Sequence, residues 1–162
     1  MRLLLLIAAA TVSASIQAQD REPWPPPVDP ELAASIAGCY RIESAPWPDS
    51  LVHLPSPERL PEWVELSADR TDLPPPLPRT GSGLSVRYPP QATYFPFAFW
   101  LTVRGGVHLG STAPGSLRIT AQPSGPSELA GSVTGSTDII YDDKPSSGSV
   151  PVRLTRMECP AP

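Results

Sequence analysis

The chain has 162 residues, of which 40% are hydrophobic and 17% are charged, and its formal net charge is −4. This length corresponds to one domain, and the 24 prolines exclude a helical bundle because proline breaks helix interiors. The hydrophobic content is too high, and the net charge too low, for a disordered chain. Nucleic acid is excluded as a partner, because phosphate binding requires a basic surface and this chain is acidic.

Residues 1–18 have the pattern of a secretory signal peptide. Arg2 supplies the positive charge, residues 3–12 form an apolar run, and Ala18 ends a small-residue cleavage site. The run is too short for the ~20 residues of a membrane span, so we expect no transmembrane segment in the mature chain. The sequence predicts an exported protein, periplasmic or extracellular, with a proline-rich spacer at 19–28 and a single domain at 29–160.

A short helix is predicted at the start of this domain. Asp29 is suited to the N-cap, Pro30 to the first helical position, Glu31 to the first turn and Gly38 to the position after the end. A helix of about two turns is not stable alone, so we expect it to dock on the domain that follows.

From Gly38 onward, apolar and polar residues alternate with the period of β-strands. Eight strands are predicted, at 39–44, 63–67, 84–88, 95–103, 107–112, 116–121, 128–140 and 150–159. Turn residues separate most of them, at 104–106, 113–115, 123–126 and 145–148. Short connections of this kind indicate an antiparallel meander, interrupted by two long proline-rich connections at 45–62 and 69–83.

The two cysteines are predicted to form a disulfide, as is usual in an exported chain. Cys39 opens the first strand and Cys159 closes the last. An up-and-down barrel with an even number of strands brings these two ends together. A sandwich of the immunoglobulin type fits less well, because its bridge links interior strands. We therefore predict an all-β fold: an eight-stranded antiparallel up-and-down barrel with a short N-terminal helix, closed by an N-to-C-terminal disulfide.

The order of these features resembles the lipocalins of the calycin superfamily. Lipocalins begin with Gly-x-Trp, in which the tryptophan plugs the closed end of the barrel and an arginine of the last strand packs across it. Gly38-Cys39-Tyr40 stands in that place here, with tyrosine for tryptophan, and Arg156 has the inward parity to lie over Tyr40. The resemblance implies a lipocalin-like barrel whose closed end is plugged by Tyr40 and Arg156.

The most apolar strand is predicted to line the interior with Phe97, Phe99 and Leu101, while Trp100 lies on its other face. A hollow barrel would then carry an apolar ligand pocket. Its predicted lining is Tyr40, Val86, Tyr88, Phe97, Phe99, Leu101 and Leu109. The alternative is that these side chains fill the core, as they can in eight-stranded barrels.

The sequence gives no grounds for catalysis, a cofactor or a metal site. His108 and Ser111 lie three residues apart on one strand and therefore face opposite sides. Two histidines cannot form a typical transition-metal site without carboxylates. The acidic cluster Asp138, Asp142 and Asp143 has the spacing of neither an EF-hand nor a nonapeptide calcium loop and is interpreted as a solvated hairpin end.

Two functions remain open at this point. The first is an exported, monomeric, lipocalin-like protein that binds a small apolar ligand, without catalysis, through an open end beneath the loops 45–62 and 69–83. The second is an envelope domain with a filled core that binds a protein or a glycan through outward aromatic residues, for which Trp47, Trp63 and Trp100 are the candidates.

Overall fold

The computed structural model describes residues 28–68, 84–89, 99–110, 117–139 and 144–161. These residues form one short helix, α1 (Pro30–Ile36), and eight strands. The strands are β1 (Gly38–Ser44), β2 (Trp63–Ser67), β3 (Ser85–Arg87), β4 (Phe99–Val103), β5 (Gly106–Gly110), β6 (Leu117–Gly125), β7 (Glu128–Ser136) and β8 (Ser147–Met157). The predicted signal peptide and most of the spacer lie outside the described residues.

All strand pairs are antiparallel, and the sheet order is β3-β2-β1-β8-β7-β6-β5-β4. Among the described residues, the two edges of the sheet approach each other at a bridge between Leu84 and Trp100, so that the sheet forms a nearly closed barrel. The Trp100 indole strengthens this seam, since its Nε1–H donates to the Ser67 carbonyl over 3.0 Å. The predicted fold class is confirmed.

Helix α1 forms where its capping residues predict it. The Asp29 carboxylate accepts hydrogen bonds from the backbone N–H groups of Glu31 and Leu32, and Pro30 occupies the first turn. The helix docks on the barrel, because the Asp29 N–H donates to the hydroxyl of Thr102 in β4 over 3.0 Å. It buries Ala33 and Ile36 in this contact.

The barrel interior is one contiguous apolar cluster to which α1 and seven of the strands contribute buried residues, while β3 packs the partly buried Val86 against it. Its largest fully buried members are Trp100 and Tyr40. Cross-strand neighbours on the inner face include Trp100, Leu109, Ile119, Val133 and Val150, each paired with the next. These side chains fill much of the space inside the strands.

The predicted orientation of β4 is wrong. Trp100 points into the barrel and is 0% exposed, whereas Phe99 and Leu101 lie on the opposite face. The cause is the turn before β5, which has two residues and not the predicted three. Arg104 and Gly105 both have positive φ, 49° and 80°, as a tight hairpin turn of this length requires. Pairing Val103 with Gly106 then places Trp100, not Leu101, opposite the interior Leu109.

A second turn also differs from the prediction. Strand β6 continues through Pro123 to Gly125, where the pairing with β7 shifts by a bulge, and the turn itself is formed by residues 126–127. Proline is accepted at such an irregularity because no ladder hydrogen bond from its nitrogen is needed there.

The disulfide between Cys39 and Cys159 is confirmed, with the two Cα atoms 5.1 Å apart and 120 residues apart in sequence. It joins the start of β1 to the chain just after β8, and these two strands pair along their whole shared length. Cys39 is buried, whereas Cys159 is exposed. Within the described residues, no helix is both long and apolar enough to cross a membrane.

Candidate functional site

The two ends of the barrel are closed in different ways. At the helix end lie α1, the disulfide and the tight turns β4–β5 and β6–β7. At the lid end lies the connection between β1 and β2, residues 45–62, which we call the lid segment. The candidate site is the apolar interior between these two closures.

The helix end is held by a hydrogen-bonded cluster around Tyr40. The Tyr40 hydroxyl donates to the Ile36 carbonyl over 2.6 Å and accepts from Arg156 Nη2 over 2.8 Å. The same Nη2 donates to the Ser35 carbonyl over 2.9 Å, and the guanidinium lies 5.3 Å from the centre of the Tyr40 ring. Burial raises the pKa of Tyr40, and the charge and hydrogen bond of Arg156 act in the opposite direction. The tyrosine therefore stays protonated and joins α1 to β8.

Gly38 completes this cluster through its backbone. Its φ of 140° lies in a region that favours glycine, and a Cβ at this position would lie 3.1 Å from Arg156 Nη1. A larger residue at position 38 would be strained and would crowd Arg156, which explains the glycine of the Gly-x-Tyr sequence.

The lid segment is compact and contains two single-turn 3-10 helices, Asp49–Leu51 and Pro57–Arg59. Ser56 caps the second by accepting from the Glu58 N–H. Both ends of the segment are fixed to the sheet: the Ala45 N–H donates to the Pro151 carbonyl, and the Ile42 N–H donates to the Glu62 carbonyl.

Three side chains of the lid segment contact β7, β8 and their connection. Trp47 lies against the inward Gly135 of β7, and Leu51 packs against Gly148 of β8. His53 Nε2 lies 2.8 Å from the carbonyl oxygen of Pro145. The lid segment thus covers the end of the barrel by resting on one hairpin.

The prediction that the two long loops, 45–62 and 69–83, lie over the same open end is wrong. Strands β1, β2 and β3 are successive antiparallel neighbours, so the connections 45–62 and 69–83 leave the sheet at opposite ends. The pairing of Ser67 with Ser85 puts the start and the end of the second connection at the helix end. Residues 69–83 themselves lie outside the described residues.

The structure brings together only some of the predicted pocket residues. Tyr40 and Leu109 are buried in the interior cluster, and Val86 and Tyr88 pack against it while staying partly exposed. Phe99 and Leu101 face away from the interior, as described above. Phe97 lies outside the described residues. Trp100, which was predicted on the outer face, lies in the interior where Phe99 and Leu101 were expected.

The outward position predicted for Trp63 agrees with the register. The residue is half-buried on the outer face of β2, with Arg41 of β1 as its cross-strand partner. The Arg87 guanidinium lies 5.7 Å from the ring centre and pairs with Glu65. Trp47 is half-buried, and its Nε1–H donates to the Pro55 carbonyl over 2.8 Å.

The histidines do not form a catalytic pair with each other. His108 is buried on the outer face of β5, where Thr120 Oγ1 lies 3.5 Å from its Nδ1. Burial, with a smaller contribution from the nearby Arg118 charge, lowers the pKa of His108 to about 4. His53 belongs to the lid segment. Ser111, Asp142 and Asp143 lie outside the described residues, and Asp138 is exposed.

One group of potential metal ligands occurs in the described part of the chain. Atoms of Cys39, Glu65 and Cys159 lie within 4.8 Å of one another. The two sulfurs are bonded to each other, however, and only a thiolate binds metal. The oxidised protein cannot use this group as a metal site.

Sequence reasoning missed two contacts of the lid segment with the hairpin below it, that of Trp47 with Gly135 and that of Leu51 with Gly148. A signal for them was present, because both glycines have inward parity, and an inward position without a side chain leaves space for a group from elsewhere. Comparisons with protein-family models, curated proteins and solved structures give no match to this chain.

Proposed function

We propose that this protein is a lipocalin-like binding protein that encloses a small apolar ligand between the strands of its barrel and performs no catalysis. The supporting observation is the difference between the two ends. One end is closed by a disulfide and a hydrogen-bond cluster around the buried Tyr40, while the other is covered by a segment that rests on glycines. In a barrel closed in this way, the helix end stays shut and forms the floor, and a ligand can enter at the lid end.

The character of the interior supports an apolar ligand. Only Thr102 and His108 are buried polar residues among those described, and His108 lies on the outer face. An uncharged molecule loses little hydration in such a site, whereas a charge would need a partner that the described wall does not offer. We further propose that the protein acts after export, as a monomer in the periplasm or outside the cell.

Native mass spectrometry of the oxidised full chain tests this function. The protein is measured under native and denaturing conditions and is titrated with the uncharged probe N-phenyl-1-naphthylamine. We expect a mass excess that is lost on denaturation, or saturable probe fluorescence with one site per chain. A bare native mass together with no saturable probe binding would contradict the proposal.

The second candidate function is binding of an envelope protein or a glycan through the outer face. It is favoured by Trp63, which lies half-buried among Arg41, Glu65 and Arg87 on the outer face. Aromatic and arginine side chains are enriched where proteins meet partners. Trp63→Ala would then remove capture of the partner without changing the melting temperature. An unchanged capture profile would contradict this function.

A further inference from the structure

The indole of Trp47 occupies space inside the barrel at the lid end, which we call the mouth. A Cβ placed on Gly135 would lie 2.8 Å from Trp47 Cζ2 and 3.5 Å from Leu117 Cδ2. Gly135 is buried and has inward parity, since it pairs with Leu117 of β6 and Gly148 of β8. The ring therefore fills the room that the missing side chain leaves at this end.

The indole belongs to the lid segment and not to the wall. Its hydrogen-bond partner, the Pro55 carbonyl, is part of the same segment. The ring meets the wall at Gly135 through its carbon Cζ2, and Leu117 borders the same space, with its Cδ2 3.5 Å from the Cβ position of Gly135. When the lid segment moves, Trp47 can move with it and keep its hydrogen bond, because donor and acceptor travel together.

Two other residues of the lid segment, Leu51 and His53, contact β8 or the connection before it, and Leu54 of the same segment is buried. The Leu51 side chain packs on Gly148, where its Cδ2 lies 2.7 Å from the position of a Cβ. His53 adds the contact with Pro145. The fixed points at Ala45 and Glu62 lie at the two ends of the segment, so lifting the part between them would leave both of these hydrogen bonds intact.

We propose that Trp47 is a displaceable plug, and that the ligand is a flat, uncharged ring compound that takes the place of the indole against Gly135 and Leu117. This inference rests on the proposed function and specifies its ligand class. The space beside Gly135 and Leu117, which we call the slot, accepts a ring because it already holds one. The ligand needs no hydrogen-bond donor, because the Pro55 carbonyl that accepts from Trp47 moves away with the lid segment.

Trp47→Ala tests the plug directly, with indole as the probe. The wild-type protein binds indole only in the fraction of molecules whose lid segment is open, whereas the variant has the slot free. If the open fraction is about one tenth, removing the plug tightens indole binding about tenfold. Calorimetry measures the affinity in the oxidised full chain.

Trp63→Ala is the matched control, because it removes a half-buried indole from the outer face and leaves the mouth intact. We expect indole affinity equal to that of the wild type. Equal affinity of Trp47→Ala and wild type would overturn the plug. Indole binding by Trp47→Ala without any probe binding by the wild type would also overturn it, since the plug would then not be displaceable.

A cross-link that retains Trp47 tests displacement even where Trp47→Ala does not fold. Leu51 Cγ lies 3.0 Å from the Cβ position of Gly148, so Leu51→Cys with Gly148→Cys places two cysteines within reach of a disulfide. The uncross-linked control is Leu51→Ser with Gly148→Ser. We expect the oxidised pair to lose binding of N-phenyl-1-naphthylamine and the serine pair to retain it.

The outcomes separate the plug from the binding function. Equal probe binding by the cross-linked and serine pairs would overturn the plug and leave the carrier function standing. Absence of binding in the wild type, the serine pair and Trp47→Ala would overturn both.

Discussion

Arg156 donates one hydrogen bond to the Tyr40 hydroxyl and another to the Ser35 carbonyl while its guanidinium lies over the tyrosine ring. The last strand, the first strand and the helix are thereby joined at one point. Because Tyr40 and Arg156 are also direct cross-strand partners, this point closes the pairing of β1 with β8 at the helix end.

Replacing Arg156 by alanine is expected to destabilise the fold by about 1–3 kcal/mol, because the Ser35 carbonyl and the buried Tyr40 hydroxyl each lose a partner. Arg153→Ala is the control on the same strand. Arg153 is exposed and pairs only loosely with Glu128, at 3.4 Å, so its loss should cost at most about 1 kcal/mol. Urea unfolding measures both; equal costs would contradict a special role for Arg156.

The free energy of unfolding is expected to decrease as the pH is lowered, because His108 takes up a proton more readily in the unfolded chain. Its pKa of about 4 in the folded state lies below the ordinary value of 6.5. Between these values the unfolded chain binds the extra proton and the folded protein does not, so acid favours unfolding. The loss amounts to about 3 kcal/mol as pH falls from 6.5 to 4 and then levels off.

His108→Gln removes this titration and serves as the comparison. Other acidic and basic groups remain in both proteins, so the difference between the two pH profiles isolates the histidine. Urea midpoints measured from pH 7.5 to 4 should diverge below pH 6.5. Parallel profiles would show that His108 titrates normally in the folded protein.

Replacing both cysteines by serine is expected to cost up to about 4–5 kcal/mol, the chain-entropy value for a loop of this length. The bridge spans 120 residues and thus restricts nearly the whole barrel in the unfolded state. Thermal unfolding of the double variant measures the loss. A melting temperature equal to that of the wild type would mean that the pairing of β1 with β8 suffices without the bridge.

Trp100 and Phe99 provide a test of the observed β4 orientation. Trp100→Ala should cost about 3–5 kcal/mol, since it empties the core beside Leu109 and removes the bond to Ser67. Phe99→Ala should cost less, because Phe99 is partly exposed on the outer face. The opposite order in urea unfolding would restore the orientation predicted from the sequence.

The features that the sequence predicts correctly have local causes. The cap at Asp29 and the strand at 63–67 follow from side-chain chemistry and from alternation within a few residues. The disulfide follows from the position of Cys39 and Cys159 at the ends of an even meander. The cap and the strand need no knowledge of distant contacts, and the disulfide needs only the number of strands and their antiparallel order.

The orientation of β4 is not predictable from alternation, because both faces of this strand are apolar. It depends on the length of the next turn, where Arg104 adopts a positive φ that is uncommon for its residue type. The contact of Trp47 with Gly135 also cannot be predicted from the local sequence, since it joins residues 88 positions apart and Trp47 lies in a segment of irregular structure.

Both ends of the described domain lie on the same side of the barrel. Val28 adjoins the helix that begins at Pro30, Cys159 is bonded to Cys39, and all of these lie at the helix end. A surface or fusion partner joined directly at Val28 or at Cys159 would therefore lie next to the helix end, on the side opposite to Trp47. Such a partner would leave the lid segment uncovered, and the ligand entry proposed above would not depend on how the domain is attached.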